Sequence, residues 1–276
     1  MPSMDAVCLL WLRQDLRLDD NPALKAAVES GRPVVPVYIL DEEGEGAWAP
    51  GGASRWWLHH ALEDLAEQLK EYGLKLILRR GGSLETLRAL VKDTGAEAVF
   101  WNRRYEPVVI ERDKAIKQAL ADEELDVQSF NAALLFEPWT IENKSGKPFQ
   151  VFTPYWKRCR EFPTPDVEAV PLKKLRAPKV WPGSLSLDEL VLLPEIGWDE
   201  GFYEAWEPTR KGAQKRLKAF IKKAAASYGT DRDRPDVDGT SRLSPYLHLG
   251  QIGPREVFAA FKAAGMDDRA GGRKYL

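Results

Sequence analysis

The chain has 276 residues, 40 Lys and Arg against 42 Asp and Glu, and a formal charge of −2; this near-balance neither forbids nor predicts nucleic-acid binding, which needs only a local basic face. No run of about 18 apolar residues is present and no charged-then-apolar leader precedes Val7, so a spanning helix is excluded and a soluble, reducing, cytoplasmic setting is expected. Two distant cysteines, Cys8 and Cys159, exclude a disulfide framework or a zinc pattern, and three histidines, His59, His60 and His248, are too few and scattered for a His-rich metal site.

Residues 6–12 form a continuous apolar run, as a strand buried on both faces would. Asn21-Pro22 predicts a helix start and Gly31 its end. Val34–Leu40 is the second predicted strand, with Pro36 marking a less fully paired position. Ser54 opens a helix in which Trp57, Leu58, Ala61, Leu62, Leu65 and Leu69 follow the helical period, so Trp56 and Trp57 read as packing residues. Leu74–Leu78 is the third strand. Ser83 caps a helix that stops at Gly95, Ala96–Trp101 is the fourth strand, and a helix over about 107–121 leads to the fifth, Leu125–Phe130. Strands alternating with helices at this spacing predict an α/β fold with a five-stranded, doubly wound parallel sheet over residues 1–131.

That domain lacks a dinucleotide fingerprint. Arg13-Gln-Asp-Leu-Arg17 follows the first strand without a glycine, and Gly44-Glu-Gly46 reads as a flexible loop. Arg13, Asp15 and Arg17 are expected to form an ion network that docks the domains and fixes the connector. Residues 132–204 are rich in proline and predict an extended connector that wraps the first domain, with only short ordered pieces such as Phe149–Phe152. Helical signals return over 205–276. Leu217, Phe220, Ile221 and Ala224 share one face, and Lys211, Lys215, Arg216, Lys218, Lys222 and Lys223 occupy the others, which reads as a solvated basic face. A polar loop from Tyr228 then reaches Gly239-Thr-Ser-Arg-Leu-Ser-Pro245, where Gly239 loosens the backbone and Ser244-Pro245 reads as a cap and first-position proline. Such a helix start favours phosphate. Pro254 starts a last helix closed by Gly265.

Three blocks together resemble one family. Tyr228 through Ser244, with Arg232-Asp233 and Gly239-Thr-Ser-Arg-Leu-Ser-Pro245 in order, is similar to the flavin-phosphate segment of the DNA photolyase/cryptochrome family. Trp206–Phe220 resembles the helix leading into it, and Leu10–Leu24 resembles the family's opening signature. The resemblance implies an antenna domain, a connector and the N-terminal part of an all-α FAD-binding domain. It assigns Tyr228, Thr240, Ser241, Arg242, Leu243 and Ser244 to FAD binding and Arg232 to contact with damaged DNA; the alternative for Arg232 is pairing with Asp231 or Asp233. It assigns Asn102 and Glu106 to a second chromophore, a folate (methenyltetrahydrofolate) or a deazaflavin, with a purely structural loop as the alternative. Leu249, Gln251 and Gly253 depart from the family's usual Phe, Glu and Ser.

The implied activity is light-driven repair of pyrimidine dimers by electron transfer from reduced FAD, in a monomer that acts on DNA and not on membranes. The alternatives are a cryptochrome-like blue-light receptor and a stand-alone antenna or interaction module without FAD. No catalytic residue and no metal ligand is assigned. The electron-relay and dimer-contacting residues of the family would lie beyond Leu276, so the chain reads as a fragment or shortened product, inactive alone.

Overall fold

The computed structural model describes residues 6–276, apart from the side chain of Trp48. The five predicted strands are β1 (Val7–Leu12), β2 (Val34–Leu40), β3 (Ile77–Arg80), β4 (Ala96–Asn102) and β5 (Asp126–Phe130). All pair in parallel, in the order β3-β2-β1-β4-β5. The crossovers are α1 (Pro22–Glu29), α2 (Gly52–Lys70), α3 (Ser83–Thr94) and α4 (Pro107–Asp122).

Central β1 is buried along its whole length, which is why its sequence shows no polar alternation. Cys8, Leu10 and Leu12 face one core with α1 and α2. Val7, Leu9 and Trp11 face the other, with Leu87 and Leu90 of α3 and Ile116 and Leu120 of α4. A helix pair on each face is the doubly wound arrangement. Pro36 lies opposite Leu10 of β1, one residue before the β2–β3 register begins at Val37 and Ile77, in keeping with the reduced pairing expected of it. The Asn21 side chain caps α1 by accepting from the Leu24 N–H at 3.0 Å.

Some boundaries move. Helix α2 starts at Gly52, ahead of Ser54. Strand β3 starts at Ile77, because the Leu74 N–H closes the end of α2 on the Leu69 carbonyl. Ser83 is the first residue of α3 and not its cap; its N–H donates to Asp41 at 3.0 Å.

The connector lies against the sheet domain, as expected. Asp20 N–H donates to the Glu168 carbonyl, Val34 N–H to that of Arg176, and Leu185 N–H to that of Leu78. Arg80 donates to the Leu190 carbonyl at 2.6 Å. Within the connector, α5 (Phe152–Cys159) and α6 (Glu200–Ala205) are short helices that the proline content had masked. Beyond it come α7 (Arg210–Lys223), α8 (Tyr228–Asp231), α9 (Ser244–His248), α10 (Pro254–Ala263) and α11 (Ala270–Tyr275). Helix α7 buries Ala213, Leu217 and Phe220 and leaves Lys211, Lys215, Lys218, Lys222 and Lys223 exposed, the solvated face read from sequence.

These helices share the core of α1 and α2. Trp57 of α2 packs edge-on against Trp206 and Tyr246, with centroids 5.1 and 4.9 Å away. Its indole N–H donates to Gln251 Oε1 at 2.7 Å, and Gln251 Nε2 donates to the Pro208 carbonyl at 2.7 Å. Gln251 is thus a fully buried bridge between α2 and the helical region.

Buried Arg17 does the docking expected of the loop after β1. It donates to the carbonyls of Gly250 at 2.9 Å, Ala132 at 2.9 Å and Asp20 at 2.7 Å, so one guanidinium joins all three parts of the chain. Arg13 acts within the sheet domain instead, binding Asp113 and the Asn102 carbonyl. Gly250, at φ +68°, brings the helical region against the same loop; a Cβ there would sit 2.1 Å from the Gln14 carbonyl oxygen. Among the described residues, no helix is long and apolar enough to cross a membrane.

Candidate functional site

Strand order reverses at β1, with β2 on one side and β4 on the other, and open sheets of this kind receive ligands at the carboxyl ends of the strands there. Two cavities lie at these ends. The larger, about 770 Å³, is bounded by Trp11 and Arg13, by Tyr38–Glu42 at the carboxyl end of β2, by Ala49–Gly51, and by Val108 and Val109 at the start of α4. The smaller, about 240 Å³, lies between Gln14-Asp15, residues 102–106 and Ala132-Ala133. Arg104 and Glu106 line both.

The larger cavity has an aromatic floor and a charged, internally neutralised wall. Trp11 is 1% exposed and stands edge-on to Trp101, with centroids 5.6 Å apart. The Arg13 guanidinium lies 4.3 Å from the Trp11 ring centre and that of Arg112 5.6 Å. Trp11 Nε1 is buried with no hydrogen-bond partner. Gly44-Glu-Gly46 is not a loose loop: it lies in two 3₁₀ pieces within Glu43–Trp48 that kink at Gly46, φ +56°, and it is tied down where Arg104 donates to both Glu45 oxygens at 2.5 and 2.8 Å. Arg104 also holds Glu106 at 2.7 Å. Arg112 lies 3.7 Å from Asp41, 3.6 Å from Glu45 and 3.0 Å from Asp113.

Protonation follows from these contacts. Burial alone would raise the Glu106 carboxyl, but the hydrogen bonds and charge of Arg104 outweigh it and hold the group below its ordinary range. Burial, with the negative field of Glu45, pushes the Tyr38 phenol up, so it stays a neutral hydroxyl. Helix α4 adds an N-terminus with Pro107 in its first turn and no side-chain cap, which leaves first-turn N–H groups at the cavity wall. With its arginines already matched by carboxylates, the cavity suits a flat, largely apolar ligand with a few hydrogen-bonding edges better than a bare anion.

The residues read from sequence divide between this cavity and the far end of the chain. Glu106 lines the larger cavity. Asn102 lines only the smaller one, and its side chain is engaged within the fold, donating to Asp15 at 2.6 Å and Asn21 at 2.7 Å and accepting from the Ala23 N–H at 3.1 Å. Its amide holds the β1 and β4 loops together. Tyr38, Glu45, Val109 and Arg112 escaped the sequence reading, although the strand-end rule applied to β2 would have pointed to Tyr38 and its neighbours.

The second group gathers around Tyr275. Tyr228 stands edge-on to it, with centroids 5.1 Å apart, and the Tyr275 hydroxyl donates to Ser241 Oγ at 3.0 Å. Thr240 and Ser244 are exposed and Leu243 is fully buried, anchoring the loop. Arg242 has φ +52° and pairs with Asp238 at 3.1 Å. Ser244 is the first residue of α9 and not its cap, since Leu243 occupies that position. Nor does Gly239 serve as a loosener: a Cβ there would lie 2.6 Å from the Asp231 carbonyl oxygen, so it permits a close chain crossing. Arg232 lies 3.3 Å from Asp233 in an exposed pair, with its guanidinium 5.8 Å from the Tyr228 ring centre.

The sequence model of the DNA photolyase family matches residues 8–175. A deoxyribodipyrimidine photo-lyase of Agrobacterium fabrum is 45% identical over 93% of this chain and 53% of its own length. Cryptochrome-1 of Arabidopsis thaliana is 38% identical over 91% of this chain and 37% of its own. Among solved structures, a bacterial class III photolyase from Agrobacterium tumefaciens superposes with a TM-score of 0.90 at 42% identity, covering 98% of this chain and 56% of that one. The chain therefore spans about half the length of these photolyases and less of the cryptochrome. The matched span, the identities and the shared fold establish that the chain belongs to the DNA photolyase/cryptochrome family.

Proposed function

We propose that the chain is the light-harvesting and flavin-approach portion of a deoxyribodipyrimidine photo-lyase, which splits pyrimidine dimers in DNA under light. The observation that carries this reading is the 45% identity to a deoxyribodipyrimidine photo-lyase along 93% of the chain, against 38% to a cryptochrome. The large cavity is assigned to an antenna chromophore, a folate or a deazaflavin. Its volume and aromatic floor fit a flat heterocycle, and the unpartnered Trp11 N–H and the neutral Tyr38 hydroxyl are groups such a ligand could engage.

FAD is assigned to the Tyr228 and Thr240–Ser244 surface, where it would supply the electron for dimer splitting. The residues fit a diphosphate: the Thr240 and Ser244 hydroxyls are exposed, and the Arg242 side chain, 47% exposed, is held by an exposed Asp238. Leu243 and the Tyr275–Ser241 bond fix the loop that carries them. Arg232 is assigned to the DNA backbone. Its pair with Asp233 is exposed and worth at most about 1 kcal/mol, so a phosphate can displace it.

Survival of ultraviolet-treated bacteria lacking their own photolyase tests the activity directly. Expression of this chain within a protein of the photolyase relatives' full length should raise survival under visible light and not in darkness. Equal survival in light and dark would favour the cryptochrome reading.

A further inference from the structure

We propose that His59, His60 and Glu63, on one turn of α2, form a binding site for a divalent transition metal of the Zn²⁺ class. The site lies outside both cavities described above and is independent of the assigned repair activity. One ligating atom from each of the three side chains falls within 4.8 Å of the others, and this is the group of metal-binding character found among the described residues. The helix accounts for the meeting: Glu63 follows His59 by four residues and His60 by three, the spacings that bring side chains together on one helix surface. In sequence the three histidines are too few and too scattered for a His-rich metal site. The pair on α2 gains its third donor from a glutamate that carried no motif.

The second observation concerns the rings. His59 is 7% exposed, yet its Nδ1 is buried with no hydrogen-bond partner; in His60 Nε2 is unpartnered and Nδ1 is the nitrogen beside Glu63. Aromatic packing, with Trp56 4.7 Å and Tyr203 5.6 Å from the His60 ring, orders that imidazole without giving Nε2 a hydrogen-bond partner. The contact between His60 Nδ1 and Glu63 is 3.5 Å, too long to be a strong bond. A cation held by two imidazoles and a carboxylate would occupy the space between these donors and fix both rings. Nitrogen donors with one carboxylate favour Zn²⁺, Co²⁺ or Ni²⁺ over Ca²⁺ or Mg²⁺. Ligation there would stiffen α2 beside the connector segments that pack on it.

Titration of the metal-free chain with Zn²⁺ alone by isothermal calorimetry, repeated with Co²⁺ and visible absorption, tests the site. The expected result is one equivalent of Zn²⁺ per chain, with ligand-field absorption from Co²⁺ and no response to Mg²⁺. Glu63→Gln changes a carboxylate that is 62% exposed, so it should leave the fold intact while weakening binding, and His60→Ala should abolish it. A wild-type chain that takes up no Zn²⁺ would overturn the proposal. So would Glu63→Gln and His60→Ala variants that bind as the wild type does.

Discussion

Replacing Arg17 by methionine should uncouple the three parts of the chain while preserving most of the side-chain volume. The guanidinium is 1% exposed and donates to backbone oxygens at Gly250, Ala132 and Asp20, with the Asp20 carboxylate 3.4 Å away. Burial pulls its pKa below the ordinary arginine value, with the charges of Asp20 and Asp15 acting against that pull, which shows that the cation is held at a desolvation cost. Asp20 keeps a second partner in Arg255 at 3.0 Å, so its charge does not become isolated. The loss then comes chiefly from three buried carbonyls without donors, about 1–3 kcal/mol each, partly offset by removal of the buried cation's desolvation cost, and a total of about 3–5 kcal/mol is expected. Urea unfolding followed by tryptophan fluorescence reads it, since Trp57 and Trp206 sit at the junction. Arg232→Met, which breaks only an exposed pair, serves as the comparison and should cost less than about 1 kcal/mol. An Arg17→Met loss as small as that of Arg232→Met would refute the docking argument.

Gly250→Ala places a methyl group 2.1 Å from the Gln14 carbonyl oxygen at φ +68°, and should destabilise by about 2 kcal/mol or more, read as a drop in urea midpoint. Trp57→Phe removes the donor to buried Gln251 and should cost about 1–3 kcal/mol in the same assay. Glu106 has a lowered folded pKa, so its contribution is present above the unfolded value of about 4.3 and is lost as pH falls through the folded value. The stability of the wild type should therefore fall on acidification below about pH 4 slightly more than that of Glu106→Gln, by under about 1 kcal/mol because the group is nearly half exposed. Urea midpoints of the two proteins across that range check the sign.

The sheet was legible because its inner strands β1, β2 and β4 are buried on both faces and its crossover helices carry caps or a strong apolar stripe. Asn21-Pro22 and the Leu58–Leu69 stripe each have a local physical signature. The short helices were not. Helix α11, Ala-Gly-Gly-Arg-Lys-Tyr, has a poor helix-forming sequence and is set by packing, with Tyr275 stacked on Phe261 at 4.8 Å. Site residues followed the same division. Glu106, which the resemblance picked out after β4, lines the large cavity, whereas Glu45 and Arg112 come from distant segments and meet only in the fold, 3.6 Å apart. Asn102 lies in the right place, but its side chain is spent inside the fold, and sequence alone shows nothing of that.

The assignment of the large cavity to an antenna is tested most directly by the absorption spectrum of the 276-residue chain after mixing with methenyltetrahydrofolate or a deazaflavin and desalting. The account predicts about one chromophore retained per chain, and none in Val109→Trp, which fills the cavity beside α4. A wild-type chain that retains neither chromophore, or a Val109→Trp chain that retains as much as the wild type, would contradict it.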